Sequence, residues 1–242
     1  MVASCSSAYY WRRAAASLLF PHRYCLNCGA LSPETLLCPD CRKMQLSLRR
    51  CPGCAAFIPD TEAPHYMCAS CRRSAPAYDG AIAALPYRGY FRDQLLAFKY
   101  KQKTGLQHYL GQLMFETWQR IYGDLSFDVI VPVPAYIGRS ALRGYDQSLL
   151  LARVLANLSG IPLGCDLLSR VKDTPALAGL SRRQRAESLK GAFAAAPCNG
   201  LTVLLTDDIF TTGATADQAA AALLRQGAGA VYVLTAAAGY DL

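Results

Sequence analysis

VLLTDDIFTTGAT, at residues 203–215, begins as an apolar run and continues through two adjacent carboxylates into a turn of small hydroxyl residues. The apolar run ends at Asp207 and Asp208, and Gly213 precedes a segment with helical periodicity. We therefore predict a strand, a turn and a helix in direct succession. In an open α/β sheet the ligand lies at the carboxyl ends of the strands, so we expect this turn in a ligand site.

The turn has the chemistry of a site for one phosphate group. Backbone N–H groups and threonine hydroxyls can converge on the phosphate, and a helix N-terminus favours its negative charge. The residues that we predict to form this cradle are Thr211, Thr212, Gly213, Ala214 and Thr215. The turn lacks the lysine and the spacing of a Walker A loop, which disfavours triphosphate hydrolysis.

The two carboxylates extend the prediction from phosphate to sugar. Adjacent Asp side chains ahead of a phosphate cradle can accept hydrogen bonds from a ribose diol and hold Mg2+, directly or through water. The alternative is that Asp207 and Asp208 only end a strand and that the threonines only cap a helix. A single Asp or Thr is enough for a cap, so the pattern favours a ligand site.

The rest of the C-terminal half alternates between short apolar runs and helical periodicity, which is typical of an α/β sheet. We predict strands at residues 81–85, 128–133, 201–206 and 230–235, and helices at residues 91–100, 106–122, 147–158 and 215–226. Residues 170–190 carry six basic side chains, and Pro175 and Gly179 interrupt regular structure there. This charge suits pyrophosphate, with a solvated loop or a nucleic-acid contact as the alternatives.

The first 71 residues differ in composition, because they hold nine of the eleven cysteines. Eight of these nine form C-x-x-C pairs, which are Cys25 and Cys28, Cys38 and Cys41, Cys51 and Cys54, and Cys68 and Cys71. One short turn can direct both sulfurs of a pair at the same ion, so each pair is half of a tetrahedral zinc site. We predict two structural zinc ions, most simply in sequential sites, with a cross-braced pairing as the alternative. A redox-active dithiol is disfavoured, since that motif normally occurs once.

Composition and charge limit the function classes. The 242 residues, 52% of them hydrophobic, form an ordinary globular chain, which excludes disordered, collagen-like and coiled-coil classes. The formal charge of +8 is a weak argument for nucleic acid, because eight thiolates and two zinc ions would reduce it. The sequence shows no secretory signal and no apolar run of about 18 residues, so we expect a cytoplasmic protein without membrane insertion.

These motifs together resemble a known family. VLLTDDIFTTGAT is similar to the phosphoribosyl pyrophosphate (PRPP) motif of type I phosphoribosyltransferases. With the four C-x-x-C pairs, VPVP at residues 131–134 and RGYDQS at residues 143–148, the chain resembles the ComF/GntX family of competence-related proteins. We expect an amphipathic N-terminal segment at residues 1–24 and a double zinc ribbon at residues 25–75. Residues 76–242 are expected to form a phosphoribosyltransferase-like α/β domain with a parallel sheet.

The resemblance implies roles for individual residues. Asp207 and Asp208 would hold the ribose hydroxyls of PRPP, and the turn after them would bind its 5′-phosphate. The loop after VPVP would contact pyrophosphate, and residues 170–193 match a mobile hood that closes over it. The basic residues so implied are Arg139 and Arg143 in the loop and Lys172, Arg182, Arg183 and Arg185 in the hood. Arg143 and Arg185 thereby join the two aspartates as implied catalytic residues.

Four further positions carry information. Lys99, in AFKYK, stands where the family tends to have Lys followed by Tyr. Asp146, Leu177 and Ser188 stand where the family usually has Asn, Gln and Asn. These three departures lie around the acceptor and pyrophosphate region rather than the cradle.

The resemblance implies a Mg2+-dependent phosphoribosyltransferase that releases pyrophosphate and is linked to DNA uptake, with the DNA-uptake machinery as a partner. The alternative is a non-catalytic protein that retains PRPP or nucleotide binding. Such a protein would contact single-stranded DNA through its zinc ribbons and basic loops.

Overall fold

The structure, a computed structural model, describes residues 24–51, 53–59, 66–101, 103–136, 144–174 and 182–239, with the backbone alone at positions 182 and 183. The N-terminal part forms α1 (Pro39–Ser47), β1 (Arg49–Arg50), β2 (Phe57–Ile58) and α2 (Ala69–Arg73). The chain continues through β3 (Gly80–Pro86), α3 (Gly89–Tyr100), α4 (Leu106–Tyr122), β4 (Val129–Pro132) and α5 (Gln147–Ser159). It ends with β5 (Leu168–Arg170), α6 (Arg182–Leu189), β6 (Phe193–Ala195), β7 (Thr202–Phe210), α7 (Ala214–Arg225) and β8 (Ala230–Ala238).

Four strands form a parallel sheet in the order β3-β8-β7-β4. Strand β7 pairs with β8 from Thr202, opposite Ala230, to Phe210, opposite Ala238. Every residue of β3 and β4 is buried, as expected for parallel strands that are covered on both faces. The carboxyl ends of parallel strands meet at one edge, so β7 brings its acidic pair to the edge where ligands bind. The predicted α/β fold with a parallel sheet is confirmed.

The two faces of the sheet carry separate hydrophobic cores. One face, which we call the α4 face, packs α3, α4 and α5 against residues such as Leu204 and Leu234. The other, which we call the α7 face, packs α7 against residues such as Leu205 and Val233. Successive side chains of a strand point to opposite sides of the sheet, so Leu204 and Leu205 belong to different cores, as do Val233 and Leu234.

The cysteine-rich segment crosses the edge of the sheet at β3. Gln45 Nε2 donates a hydrogen bond to Ala84 O at 3.3 Å, and Arg50 Nε and Nη2 donate to Ala83 O at 3.3 and 3.2 Å. Side chains thereby satisfy carbonyls of a strand that, within the described residues, pairs only with β8. Burial of its guanidinium lowers the pKa of Arg50 to about 10. The segment before Arg50 packs on the α4 face, and the segment after it packs on the α7 face.

The strands and helices predicted in the C-terminal half are confirmed within a few residues. Strand β7 is longer than predicted, because its pairing continues to Phe210, and the acidic pair therefore lies within the strand. Helix α6 lies within residues 170–190, and Pro175 and Gly179, which were predicted to interrupt regular structure there, lie outside the described residues. No helix in the described part of the chain is long and apolar enough to cross a membrane. Residues 1–23 of the predicted N-terminal segment lie outside the described residues.

Candidate functional site

The turn between β7 and α7 requires a glycine. Gly213 has a φ of +77°, in the left-handed region that other residues rarely adopt. A Cβ at this position would lie 2.6 Å from Cζ of Phe210 and collide with the ring. Helix α7 begins at the next residue, Ala214, so the turn adjoins backbone N–H groups that have no partner within the helix. The backbone conformation and the packing of Phe210 therefore both exclude a side chain here.

A pocket of about 250 Å3, part of which is open solvent, lies at this turn. Its walls come from the end of β7, the turn, the start of α7 and strand β8, and consist of Asp207, Ile209, Phe210, Thr211, Gly213, Thr215, Ala216 and Thr235. Asp207, Thr211, Gly213 and Thr215 were all predicted to bind PRPP. Asp208, Thr212 and Ala214, which were also predicted to bind PRPP, do not line the pocket. The fold thus combines a carboxylate and the hydroxyl-rich turn in one cavity.

The two carboxylates of the acidic pair have different surroundings. Asp207 accepts hydrogen bonds at Oδ1 from Ser148 Oγ at 2.7 Å and from the backbone N–H of Asp208 at 2.8 Å. Asp208 is 6% exposed, and its Oδ2 lies 3.0 Å from Nζ of Lys99 in an ion pair. Asp207 lines the pocket, whereas Asp208 is held by Lys99 of α3.

The pKa values of these groups follow from their surroundings. Burial and the charge of Asp208 raise the pKa of Asp207 to about 7, against the hydrogen bond from Ser148, which lowers it. The carboxylate of Asp208 raises the pKa of Lys99. The ammonium of Lys99 offsets part of the repulsion between the two neighbouring carboxylates. Asp207 can therefore gain or lose a proton near neutral pH.

RGYDQS connects the acidic pair with α3. Tyr145 Oη donates a hydrogen bond to Phe98 O, and Gln147 Nε2 donates to Lys99 O at 3.5 Å. Ser148, the last residue of the motif, holds Asp207 as described above. The motif thus holds the backbone of Lys99 through Gln147 and the side chain of Asp207 through Ser148.

Asp146, one of the three departures from the family pattern, has a structural role. Its Oδ1 accepts from Leu149 N at 3.0 Å and caps α5, while its Oδ2 accepts from Ala135 N at 2.9 Å. An Asn side chain has one acceptor oxygen, whereas the carboxylate makes both contacts. Asp146 therefore ties the loop after β4 to the start of α5.

The structure describes only some of the basic residues that were predicted around pyrophosphate. Arg185, on α6, donates from Nη1 to Oγ1 of Thr211 at 2.8 Å and so brings the hood segment to the cradle. Lys172 is exposed. Arg139, Arg143 and Leu177, together with the side chains of Arg182 and Arg183, lie outside the described residues.

The eight paired cysteines form two groups, and within each group the sulfurs lie no more than 4.8 Å apart. The groups are Cys25, Cys28, Cys38 and Cys41, and Cys51, Cys54, Cys68 and Cys71. Sulfurs from different C-x-x-C pairs are 3.8 Å apart between Cys28 and Cys38 and 3.7 Å apart between Cys54 and Cys68. Tetrahedral Zn–S bonds of about 2.3 Å need sulfurs about 3.8 Å apart, so both groups fit a structural zinc ion. The sites are sequential, and the cross-braced alternative is wrong.

Hydrogen bonds to the sulfurs favour the thiolate form that binds metal. Cys68 N donates to Cys51 Sγ at 3.3 Å, and Asn27 Nδ2 donates to Cys41 Sγ at 3.2 Å. A hydrogen bond from Cys54, with the N–H groups of Cys68 and Gly53, lowers the pKa of Cys51, against its burial.

A parallel α/β sheet with a hydroxyl-rich turn at the end of β7, preceded by two four-cysteine sites, defines a phosphoribosyltransferase-like protein with a double zinc ribbon. The chain is 29% identical to competence protein F of Haemophilus influenzae over 212 residues, and this alignment covers 84% of this chain and 91% of the relative. It is 30% identical to DNA utilization protein YhgH of Salmonella typhimurium over 202 residues, and this alignment covers 81% of this chain and 88% of the relative. The chain therefore belongs to the ComF/GntX family.

Two other comparisons complete these findings. No family model matches the chain. A solved structure of the allosteric regulatory enzyme of purine biosynthesis aligns with 55% of this chain and 25% of that chain, with 22% identity and a TM-score of 0.38.

The sequence-based prediction did not include two contacts of the acidic pair, that of Ser148 with Asp207 and that of Lys99 with Asp208. A hydroxyl residue in the first turn of a predicted helix is the signal that could have pointed to Ser148. Lys99 was visible only as part of AFKYK, and no local pattern links it to Asp208, because the two residues are distant in the chain.

Proposed function

We propose that the chain binds PRPP and transfers its phosphoribosyl group to an acceptor in a Mg2+-dependent reaction that releases pyrophosphate. The observation that carries this proposal is the pocket at the end of β7, where Asp207 and the hydroxyl-rich turn meet. A carboxylate beside a phosphate cradle matches the two ends of a ribose 5-phosphate. The name of the Haemophilus relative, competence protein F, extends the proposal to a role in DNA uptake.

The cradle would bind the 5′-phosphate, and the acidic pair would bind the ribose. The turn offers backbone N–H groups and the hydroxyls of Thr211 and Thr215. Ser148 engages Oδ1 of Asp207, which lines the pocket, so Oδ2 of Asp207 can accept hydrogen bonds from the ribose hydroxyls. Ser148 and Lys99 would orient the two carboxylates before the ligand arrives, which lowers the cost of binding.

The acidic pair also has a donor set that suits Mg2+, since this ion prefers carboxylate oxygens and water. Asp207 and Asp208 would hold it, directly or through water. When bound, the ion supplies positive charge beside the departing pyrophosphate.

Displacement at C1 of PRPP passes through an oxocarbenium-like state, so positioning and charge matter more than covalent catalysis. Arg185 reaches Thr211 of the cradle, and we propose that it turns to the pyrophosphate when the hood closes. We propose the same role for Arg143. A hood that closes with Arg185 would also exclude water while charge develops on the leaving group.

Equilibrium dialysis with radiolabelled PRPP tests the proposal in the zinc-loaded protein. The wild type should bind PRPP with Mg2+ present, and a variant that carries both Asp207→Ala and Asp208→Ala should not. Zinc content should be equal in both proteins, because the cysteine sites do not include these residues. Equal PRPP binding by the two proteins would refute the role of the acidic pair. Pyrophosphate release in the presence of trial acceptors then tests turnover.

A non-catalytic protein that binds single-stranded DNA is the second candidate, and two pairs of arginine and tyrosine favour it. The Arg72 guanidinium lies 4.9 Å from the ring centroid of Tyr66, and that of Arg92 lies 5.9 Å from the ring centroid of Tyr87. Single-strand binders combine such aromatic and basic side chains to stack bases and contact phosphates. Binding to an oligonucleotide whose log affinity falls linearly with log salt, without PRPP turnover, would support this function.

A further inference from the structure

The second four-cysteine group lies in the same hydrophobic core as the phosphate cradle. Cys51, Cys54, Cys68 and Cys71 belong to the core of the α7 face, which also contains Phe210 and the buried residues of α7. The first group contributes Cys25 and Cys41 to the core of the α4 face. Two sites with the same ligand set therefore have different neighbours.

One connection between the second group and the cradle runs through the backbone of β2. Phe57 N donates a hydrogen bond to Gly239 O at 3.1 Å, and Gly239 N donates to Phe210 O at 3.2 Å. The ring of Phe210 is in turn the group that a Cβ on Gly213 would strike. Phe57 follows Cys54 by three residues, so the position of β2 depends on the fold of the cysteine turn.

A second connection runs through the segment that follows Cys71. Ala77 N donates a hydrogen bond of 2.7 Å to Oδ1 of Asp217, in the first turn of α7. The next residue, Tyr78, packs edge-on against Phe210 with 6.2 Å between ring centroids. Its hydroxyl oxygen lies 3.4 Å from the position that a Cβ on Gly213 would occupy.

From these two connections we infer that the second four-cysteine group is a positioning element of the phosphate cradle. Zinc held by these cysteines fixes the two flanking segments, at Phe57 and at Ala77 and Tyr78. These segments hold Phe210, Gly213 and the first turn of α7 in the conformation that presents N–H groups to a phosphate. The first group contacts α3 instead, where a Cβ on Gly29 would lie 3.1 Å from the ring of Tyr90.

The inference has a thermodynamic consequence that rests on the proposed function. If zinc at the second group orders the cradle, PRPP binding and zinc binding at that group stabilise each other by the same factor. PRPP should therefore raise the zinc affinity of the second group and leave that of the first unchanged.

Hydrogen exchange in the full-length protein tests the inference without PRPP. The double variant Cys68→Ser, Cys71→Ser should lose one zinc ion and exchange the amides of residues 211–217 at least about fivefold faster, the lower end of the usual coupling between sites. The matched variant Cys25→Ser, Cys28→Ser should also lose one zinc ion and leave this exchange unchanged. Equal exchange of residues 211–217 in the two variants would overturn the inference.

A variant that keeps all eight cysteines guards against a general loss of folding. Asp217→Ala removes the acceptor for Ala77 N and should speed exchange at the cradle, whereas Asp217→Asn retains an acceptor oxygen and should restore slow exchange. Equal exchange in the wild type, Asp217→Ala and Asp217→Asn would contradict the second connection.

PRPP affinity separates this inference from the proposed function. A wild type that binds no PRPP refutes the proposed function and leaves the exchange result valid. A wild type that binds PRPP, with the same affinity in the Cys68→Ser, Cys71→Ser variant, refutes the inference alone.

Discussion

The two four-cysteine sites have the same ligands but differ in exposure. In the first site Cys28 is exposed and Cys38 is half-buried, whereas all four cysteines of the second site are buried. The first site packs on the α4 face beside α3, and the second packs on the α7 face beside the phosphate cradle. The spacing of a metal motif therefore predicts its chemistry, while its contribution to stability and function depends on the face that it covers.

The largest expected effect is on the melting temperature of single cysteine variants of the two sites. Cys54→Ser should lower the melting temperature by at least about 10 °C, because it removes a ligand from a fully buried site that supports the α7 face. Cys28→Ser should lower it by less than half as much, since water can replace an exposed ligand. Thermal unfolding followed by circular dichroism measures both. Equal losses would show that the two faces depend equally on zinc.

The next effect concerns the ion pair between Lys99 and Asp208. Asp208→Asn should cost about 2 kcal/mol of unfolding free energy, because the half-buried ammonium of Lys99 loses its counter-charge. Asp207→Asn should cost less, since it removes a charge that Asp208 repels. Urea unfolding measures both values.

A double-mutant cycle with Lys99→Met isolates that pair. The double variant Lys99→Met, Asp208→Asn should be more stable than the sum of the single losses predicts. Strict additivity would mean that the ion pair contributes nothing to stability.

A smaller effect separates the two reasons why position 213 requires a glycine, which are its positive φ and its contact with Phe210. Gly160→Ala should cost about 1 to 2 kcal/mol, because its φ of +78° lies in the left-handed region, and Gly213 has a similar φ of +77°. Gly213→Ala should cost about 1 kcal/mol more, since its Cβ would strike Phe210 while nothing lies within 4 Å at Gly160. Only Gly213→Ala should also weaken PRPP binding. If the two variants lose the same stability and bind PRPP equally well, Phe210 does not constrain the turn.

The smallest effect is a pH dependence that arises at Asp207. Burial raises the pKa of this carboxyl to about 7, so it is protonated below that pH and then accepts ribose hydroxyls and Mg2+ poorly. PRPP affinity should therefore rise by about tenfold from pH 6 to pH 8 and level off above the pKa. The 5′-phosphate titrates in the same range, so Asp207→Asn serves as the reference. An identical pH profile in that variant would exclude Asp207 as the titrating group.

Much of the fold and the cradle could be predicted from local patterns. Strands β3, β4, β7 and β8 are apolar runs long enough to recognise, and the succession of Asp207, Thr211 and Gly213 indicates a polar turn between a strand and a helix. The short elements could not be predicted, because β1 and β2 have two residues each and carry no periodicity. Helix α6, RRQRAESL, has no apolar stripe to reveal it.

Long-range relationships were also beyond a single sequence. Cysteine spacing predicts two zinc sites, but only the fold decides that the pairing is sequential. The ion pair of Lys99 with Asp208 and the contact of Ala77 with Asp217 each join residues that are distant in the chain. Such contacts arise from the way in which helices pack on the sheet, and no local propensity encodes them.

Calorimetric titration of the zinc-loaded protein with PRPP, with and without Mg2+, tests the phosphate cradle most directly. Micromolar binding that needs Mg2+ and is lost in the Asp207→Ala, Asp208→Ala variant is the predicted result. Absence of binding by a folded protein that holds both zinc ions would contradict a PRPP site at the end of β7.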